Sequence, residues 1–160
     1  FYDESSFFEP GNTGFWVYEI FNKKFGFVKI GMMICYDWIY PEAARSLALR
    51  GADIICHPSN LVMPYCQAAM FTRALENRVY TITANRVGKD INGEKSLEFT
   101  GESVILNPKG EYLARGSKDK EEITFIKINP ELSRDKHINE KNDIFAERRD
   151  HFYKVRDKRS

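Results

Sequence analysis

The stretch KIGMMICYDWIYPEAARSLALRGADIICHPSN, Lys29 to Asn60, decides how this chain is read. The apolar run from Phe25 to Cys35 reads as a nearly continuous buried strand, with Gly26 and Gly31 as close-approach or bulge points. YPEAARSLALRG then predicts a helix: Pro41 suits its first position, Ala and Leu favour it, and Gly51 suits a left-handed stop. ADIICHP is a short apolar strand closed by Pro58. Cys35 therefore sits where a buried strand ends and the chain turns towards a helix. Free cysteine is among the most buried residue types, and structural cysteines are inert. A strand-to-helix turn, however, exposes a side chain at the sheet's end and aims backbone N–H groups at it. Those donors favour a thiolate, and the Tyr36 N–H is placed to stabilise an oxyanion formed by attack at Cys35.

Working outward, Phe15 to Phe21 mixes aromatic and β-branched residues, as strands do. YCQAAMFTRALENR carries good helix formers, with apolar Ala69, Met70 and Leu75 on helical spacing. VYTITAN returns to strand, followed by a polar loop around Gly93. ESVILNPKGEYLARG predicts a hairpin turning at Asn-Pro-Lys-Gly, and EEITFIKI one more strand. From Glu131 the chain is charged, with scattered aromatics. The alternation of strand and helix in the first half gives an α/β class with helices outside, and the strand-rich second half breaks the purely parallel order.

At 160 residues the chain is the length of one ordinary domain. Its 42% hydrophobic and 14% aromatic residues suffice for a core and argue against disorder. The net charge of +1 offers no general attraction to nucleic acid or to an anionic membrane. No apolar run is long enough to span a bilayer, and no signal peptide is visible. Cys35, Cys56 and Cys66 have no paired spacing, which argues against a disulfide scaffold or zinc knuckle and fits a reducing cytoplasm. Cys56, mid-strand, and Cys66, opening a helix, read as packing residues. His57 could lie near Cys35 across the sheet edge as a base, but a histidine beside proline is more often structural. The chain opens on Phe-Tyr-Asp with no initiator Met, as a piece of something longer would.

Lys29 to Asn60 resembles the nucleophile region of the nitrilase superfamily, the carbon–nitrogen hydrolases. The residues that carry the resemblance are Gly31, Cys35, Tyr36, Asp37, Pro41-Glu42, Arg45 and Pro58. RALENRVYTITANRVG resembles the family's following helix and strand, and FTGESVILNPKGEYLA its G-x-S-x-I-x-x-P-x-G hairpin. INEKNDIFAERRDHFY is similar to the tail of thermophilic archaeal-type nitrilases, and FYDESSFFEPG to the segment leading in.

The resemblance implies an α-β-β-α sandwich of the nitrilase type, represented here by its C-terminal portion. Residues 1–130 are then the C-terminal part of the hydrolase domain, and residues 131–160 a tail packing on it or on a dimer partner. It implies hydrolysis of a small-molecule nitrile or amide through a Glu–Lys–Cys triad. Cys35 would be the nucleophile, while the triad Glu and Lys would fall upstream of Phe1. Glu4, seven places before Gly11, matches the family's supporting glutamate. Tyr36 and Asn60 match substrate-binding positions, Tyr36 through its N–H and ring and Asn60 as a pocket wall, although Asn also suits a plain turn. Leu61 to Cys66 would form part of the pocket mouth. Asp37, Glu42, Arg45, Arg73, Glu76 and Asn77 read as structural, with Glu42 and Arg45 at pair spacing on one helix. No cofactor or metal is expected, and the resemblance implies association as a homodimer or higher homo-oligomer. An amidase or N-carbamoyl-amine hydrolase shares the cysteine motif. From another class, a non-catalytic fragment or assembly module is the rival.

Overall fold

The computed structural model describes residues 4–153; residues 1–3 and 154–160, the start of the lead-in and the end of the tail, lie outside the described residues. Strands β1 (Val17–Asn22) and β2 (Gly26–Met32) form an antiparallel hairpin. Helix α1 (Pro41–Leu49) carries the chain to β3 (Ile54–Ser59), and α2 (Cys66–Asn77) carries it to β4 (Tyr80–Asn85). β2, β3 and β4 are parallel neighbours, so each helix is a crossover between adjacent strands. A separate hairpin, β5 (Lys89–Asn92) with β6 (Lys95–Glu98), follows. Strands β7 (Val104–Leu106) and β8 (Tyr112–Arg115) complete a six-stranded sheet in the order β1-β2-β3-β4-β7-β8. The class is the mixed α/β one expected.

The main core lies between one sheet face and the two helices. Leu47, Ala44, Met70 and Ala74 from the helices meet Met33, Ile55, Val104 and Leu106. At Gly31 a Cβ would lie 2.9 Å from the Leu47 side chain, so this glycine is required by close packing. The other sheet face centres on Val28, Ile54 and Tyr80, with Phe25, Cys56, Ile82, Leu113 and Ile128 packed against them. Tyr18, Ile20 and Met32 lie on that face by register and are exposed. The described residues thus form a six-stranded sheet with one helical layer, and the small β5–β6 hairpin beside it.

α1 begins at Pro41 and α2 at Cys66, as read from sequence. Gly51 follows α1 with φ +86°, the left-handed stop that glycine permits. The Asn107–Gly110 turn joins β7 to β8, with Asn107 Oδ1 accepting the Lys109 and Glu111 N–H groups.

Five readings need correction. β2 ends at Met32, and Cys35 opens a separate 3-10 turn, Cys35–Ile39. β3 continues through Pro58 to Ser59. The segment around Gly93 is the β5–β6 hairpin; its polar strands lack the apolar alternation that marks a buried face. Residues 121–128 are not a strand: their alternation finds no sheet edge among the described residues, and Ile123 and Phe125 are 82% and 88% exposed. On α1, Arg45 does not join Glu42; it donates to the Glu76 carbonyl at 2.9 Å and stacks over Phe145.

The segment after Pro130 packs on this layer through named contacts. Ser133 Oγ donates to the Asp53 carbonyl at 2.7 Å. Lys136 Nζ donates to the Asn77 and Arg78 carbonyls at 3.0 and 2.9 Å, closing the C-terminus of α2. Phe145 packs against the main core.

Candidate active site at the Cys35 turn

Parallel pairing of β2, β3 and β4 brings three chain segments to one end of the sheet. The Met33 N–H donates to the Cys56 carbonyl at 3.1 Å, extending the β2–β3 contact one residue past the strand. The chain then turns sharply. Cys35 has φ +45°, a left-handed conformation that costs a non-glycine residue about 1–2 kcal/mol. Asp37 fixes the turn from its own side: its carboxylate accepts the Ile34 N–H at 2.8 Å, and its N–H donates to the Ile34 carbonyl at 3.0 Å. Trp38 is buried beneath the turn, and Cys35 packs partly against the main core.

His57, on β3, is fully buried directly behind the turn. Its Nε2 lies 2.8 Å from the Cys35 carbonyl oxygen and 3.0 Å from Ser59 Oγ, and its Nδ1 lies 3.2 Å from Thr83 Oγ1. A carbonyl only accepts, so Nε2 carries the proton and Nδ1 accepts from the Thr83 hydroxyl. Burial lowers the His57 pKa from its ordinary value, against the opposing effects of the Cys35 carbonyl and the Asp37 charge. Both ring nitrogens are engaged with groups other than the Cys35 thiol.

The other residues singled out from sequence are placed as follows. Tyr36 follows Cys35 in the turn, and its exposed ring meets Tyr40 edge-on at 5.9 Å. Asn60 is exposed and directly follows β3, at the same end of the sheet as Cys35. The loop behind it is pinned by Asn85, whose Oδ1 accepts the Leu61 N–H at 2.8 Å and whose Nδ2 donates to Gly101 at 2.6 Å. Glu4 begins a short 3-10 turn ahead of β1, its carboxylate on the surface and its carbonyl accepting the Phe7 and Phe8 N–H groups. No residue of the turn lines either of two surface concavities, one of about 380 Å³ touching Asn85, Arg86 and Ser103, the other of about 530 Å³ touching Arg78 and His137. Among the described residues no three His, Cys, Asp or Glu side chains are grouped to hold a metal ion, and no helix is long and apolar enough to cross a membrane.

The other thiols differ from Cys35 in setting. Cys66 is fully buried, and burial pushes its pKa up to about 12. Cys56 is half-buried on the opposite sheet face, and burial raises it as well. The roles of His57 and Asn85 in holding backbone escaped the sequence reading. Both sit on a β-strand beside a motif loop, and only strand pairing reveals which backbone group each reaches.

Cys35 thus lies in a strained turn just past the C-terminal end of β2, on a mixed α/β sheet with one helical layer. The chain belongs to the carbon–nitrogen hydrolase family, whose pattern it matches over residues 2–137.

It is 52% identical over 153 residues to a nitrilase of Pyrococcus abyssi (strain GE5 / Orsay), a match covering 96% of this chain and 55% of that protein. It is 32% identical to an N-carbamoylputrescine amidase of Arabidopsis thaliana, over 96% of this chain and 54% of the other. Among solved structures, a carbon–nitrogen hydrolase from Helicobacter pylori G27 superposes with a TM-score of 0.79 at 29% identity, covering 94% of this chain and 54% of that one. A variant of the amidase from Nesterenkonia sp. AN1, with the acetamide moiety of fluoroacetamide added covalently at its active-site cysteine, superposes with a TM-score of 0.63 at 28% identity. That match covers 73% of this chain and 42% of the amidase. The chain spans about half the length of the curated relatives it matches.

Proposed function

We propose that Cys35 is the nucleophile of an enzyme that hydrolyses a small nitrile or amide to a carboxylic acid and ammonia. The observation that carries the reading is the left-handed Cys35 at the start of the 3-10 turn. Strained, over-determined backbone of this kind gathers where geometry serves function.

The chemistry follows from the electrophile. A nitrile or amide carbon is poorly reactive at neutral pH, so a thiolate must attack it, and a carboxylate base takes the thiol proton. An amide gives a tetrahedral adduct, which collapses to a thioester as ammonia leaves. A nitrile first gives a thioimidate, and addition of water followed by loss of ammonia leads to the same thioester. Water activated by the carboxylate, the first water on the amide route and the second on the nitrile route, then releases the acid and restores the thiol. The Tyr36 N–H lies in the first turn of the 3-10 helix, where N–H groups have no partner in the turn itself, and it serves as an oxyanion donor.

The base and the ammonium donor are assigned to the glutamate and lysine of the family's Glu–Lys–Cys triad, with Glu4 as the supporting carboxylate. Asn60 and the Tyr36 ring line the substrate side. The enzyme works in the cytoplasm without cofactor or metal, as a homodimer, with residues 131–160 as a tail beyond the hydrolase domain. The nitrilase relative favours a nitrile substrate; the N-carbamoylputrescine amidase relative makes an N-carbamoyl amine the second class to assay.

The test uses the full-length protein. Ammonia release is measured from small aliphatic nitriles, amides and N-carbamoyl amines, with Cys35→Ala in parallel. Turnover lost in Cys35→Ala, with an acyl adduct on Cys35 seen by mass spectrometry in the parent, is the expected result. Undiminished turnover by Cys35→Ala overturns the assignment.

A further inference from the structure

We infer that His57 is a positioning residue that sets the aim of the oxyanion donor by holding the Cys35 carbonyl. This rests on Cys35 being the nucleophile.

The reason lies in the peptide between Cys35 and Tyr36. Peptide units are planar, and this one is trans, so the Cys35 C=O and the Tyr36 N–H point in opposite directions from one rigid plate. Whatever grips the oxygen fixes the direction of the hydrogen. The grip is the 2.8 Å bond from His57 Nε2. Asp37 constrains the preceding peptide through the Ile34 N–H, so the two contacts bracket Cys35 from both sides. Left-handed backbone at a non-glycine residue persists only where its surroundings over-determine it. Of the other left-handed non-glycine residues described, Glu102 lies in the loop before β7, and Arg78 ends α2, a place where that conformation is common. Cys35 opens a turn and ends no helix.

The ring is itself locked. Thr83, on the neighbouring strand β4, supplies the donor for Nδ1, which leaves Nε2 as the protonated nitrogen. Ser59 Oγ donates to the His57 carbonyl at 3.4 Å, so its oxygen is free to share the Nε2 proton with the Cys35 carbonyl. The ring lies fully buried among these neutral partners, a setting that suits the uncharged form, one donor and one acceptor. Neither nitrogen faces the thiol, so the ring acts through the peptide and not on the proton of Cys35.

The experiment measures kcat, KM and the rate of Cys35 alkylation in the full-length protein. Removing the donor with His57→Leu is expected to lower kcat about 100-fold, the scale of a misplaced oxyanion donor, while KM changes little. His57→Gln, whose side-chain amide replaces the Nε2 donor, is expected to restore most of the loss. Should His57→Leu fail to fold, Thr83→Val tests the same point: the ring stays, but Nδ1 loses its donor, the other tautomer becomes available, and kcat falls at unchanged KM. A folded His57→Leu with parental kcat, a His57→Gln no better than His57→Leu, or a Thr83→Val with parental kcat overturns the inference. Cys35→Ala separates the two readings. If it still turns over substrate, the nucleophile assignment falls and this inference with it. If it is dead while the His57 and Thr83 variants are unimpaired, only the inference falls.

Discussion

Arg134 grips Asp53 with two nitrogens across 81 positions of sequence: Nε meets Oδ1 and Nη2 meets Oδ2, each at 3.1 Å. Asp53 is 2% exposed at the head of β3, and its Oδ2 also accepts the Lys29 N–H at 3.0 Å. Arg134 Nη2 reaches on to the Phe27 carbonyl at 2.7 Å. One guanidinium thus joins the segment after Pro130 to both β2 and β3.

Arg134→Met should therefore leave a buried carboxylate with a single backbone donor. Hydrogen bonds to charged groups contribute about 1.5–3 kcal/mol each, and the exposed side of Arg134 moderates the loss, so a destabilisation of about 2–3 kcal/mol is expected. Urea unfolding of the full-length protein, read at constant m, measures it. Glu19→Gln is the contrast. Its 3.5 Å ion pair with Lys29 lies on the surface, and its loss should cost about 0–1 kcal/mol. Equal effects from the two variants would show that the Asp53 contact has no special standing.

The three thiols should separate cleanly in alkylation. Cys66 is buried with its pKa near 12, and Cys56 is half-buried with its pKa raised, so both present little thiolate at pH 8. Iodoacetamide followed by peptide mapping should find Cys35 modified first, together with loss of turnover. Cys66 should react only after unfolding. Labelling of Cys66 ahead of Cys35 would mean the nucleophile was misassigned.

The parts of this architecture legible in the sequence were those written in local chemistry. Pro41 and Gly51 bracket α1, and Asn107 to Gly110 spell their own turn, because the residue types at those points dictate backbone angles. Residues 121–128 alternate as a strand does, but alternation describes side-chain faces and says nothing of whether an edge is there to pair with. The β5–β6 hairpin was hidden for the opposite reason. Its pairing is made by backbone, and its side chains are polar on both faces except for Ile91 on one and Leu97 on the other; Gly93, at φ +62°, was the local sign of its turn. At the site, the position of Cys35 at a strand-to-helix turn could be read. Its positive φ and the His57 contact could not, because both depend on how β2, β3 and β4 lie side by side.

His57 makes stability depend on pH in a definite direction. Its pKa in the fold lies below the ordinary 6.5, so between those two values the unfolded chain binds more protons. The stabilisation is fully present above about pH 6.5 and is lost as pH falls towards the folded-state pKa. The Asp37 carboxylate, the charged group facing the ring, narrows this window without reversing it. Urea unfolding at pH 7.5 and 5.5 should show a drop on acidification that is smaller in His57→Gln, the carboxylates contributing equally to both proteins. An identical drop in the two would mean that the ring is protonated in the folded state.

Gly31 offers the sharpest test of how the helical layer sits on the sheet. Its backbone is not in the left-handed region, so an added methyl would be resisted by space alone. That methyl would lie 2.9 Å from Leu47 Cδ2 and 3.1 Å from Leu47 Cβ. Leu47 cannot swing away, being fully buried among Met33, Ile55 and Met70. Overpacking of this kind costs about 1–3 kcal/mol, which is expected for Gly31→Ala. Leu47→Ala alone should cost about 2–5 kcal/mol through the cavity it leaves. The two changes touch the same space, so the double variant should be more stable than the sum of the single losses implies, by at least about 0.5 kcal/mol. Strict additivity in that cycle would show that α1 does not rest on β2 at this point, and the packing that carries the chain from the Cys35 turn back into the sheet would need to be redrawn.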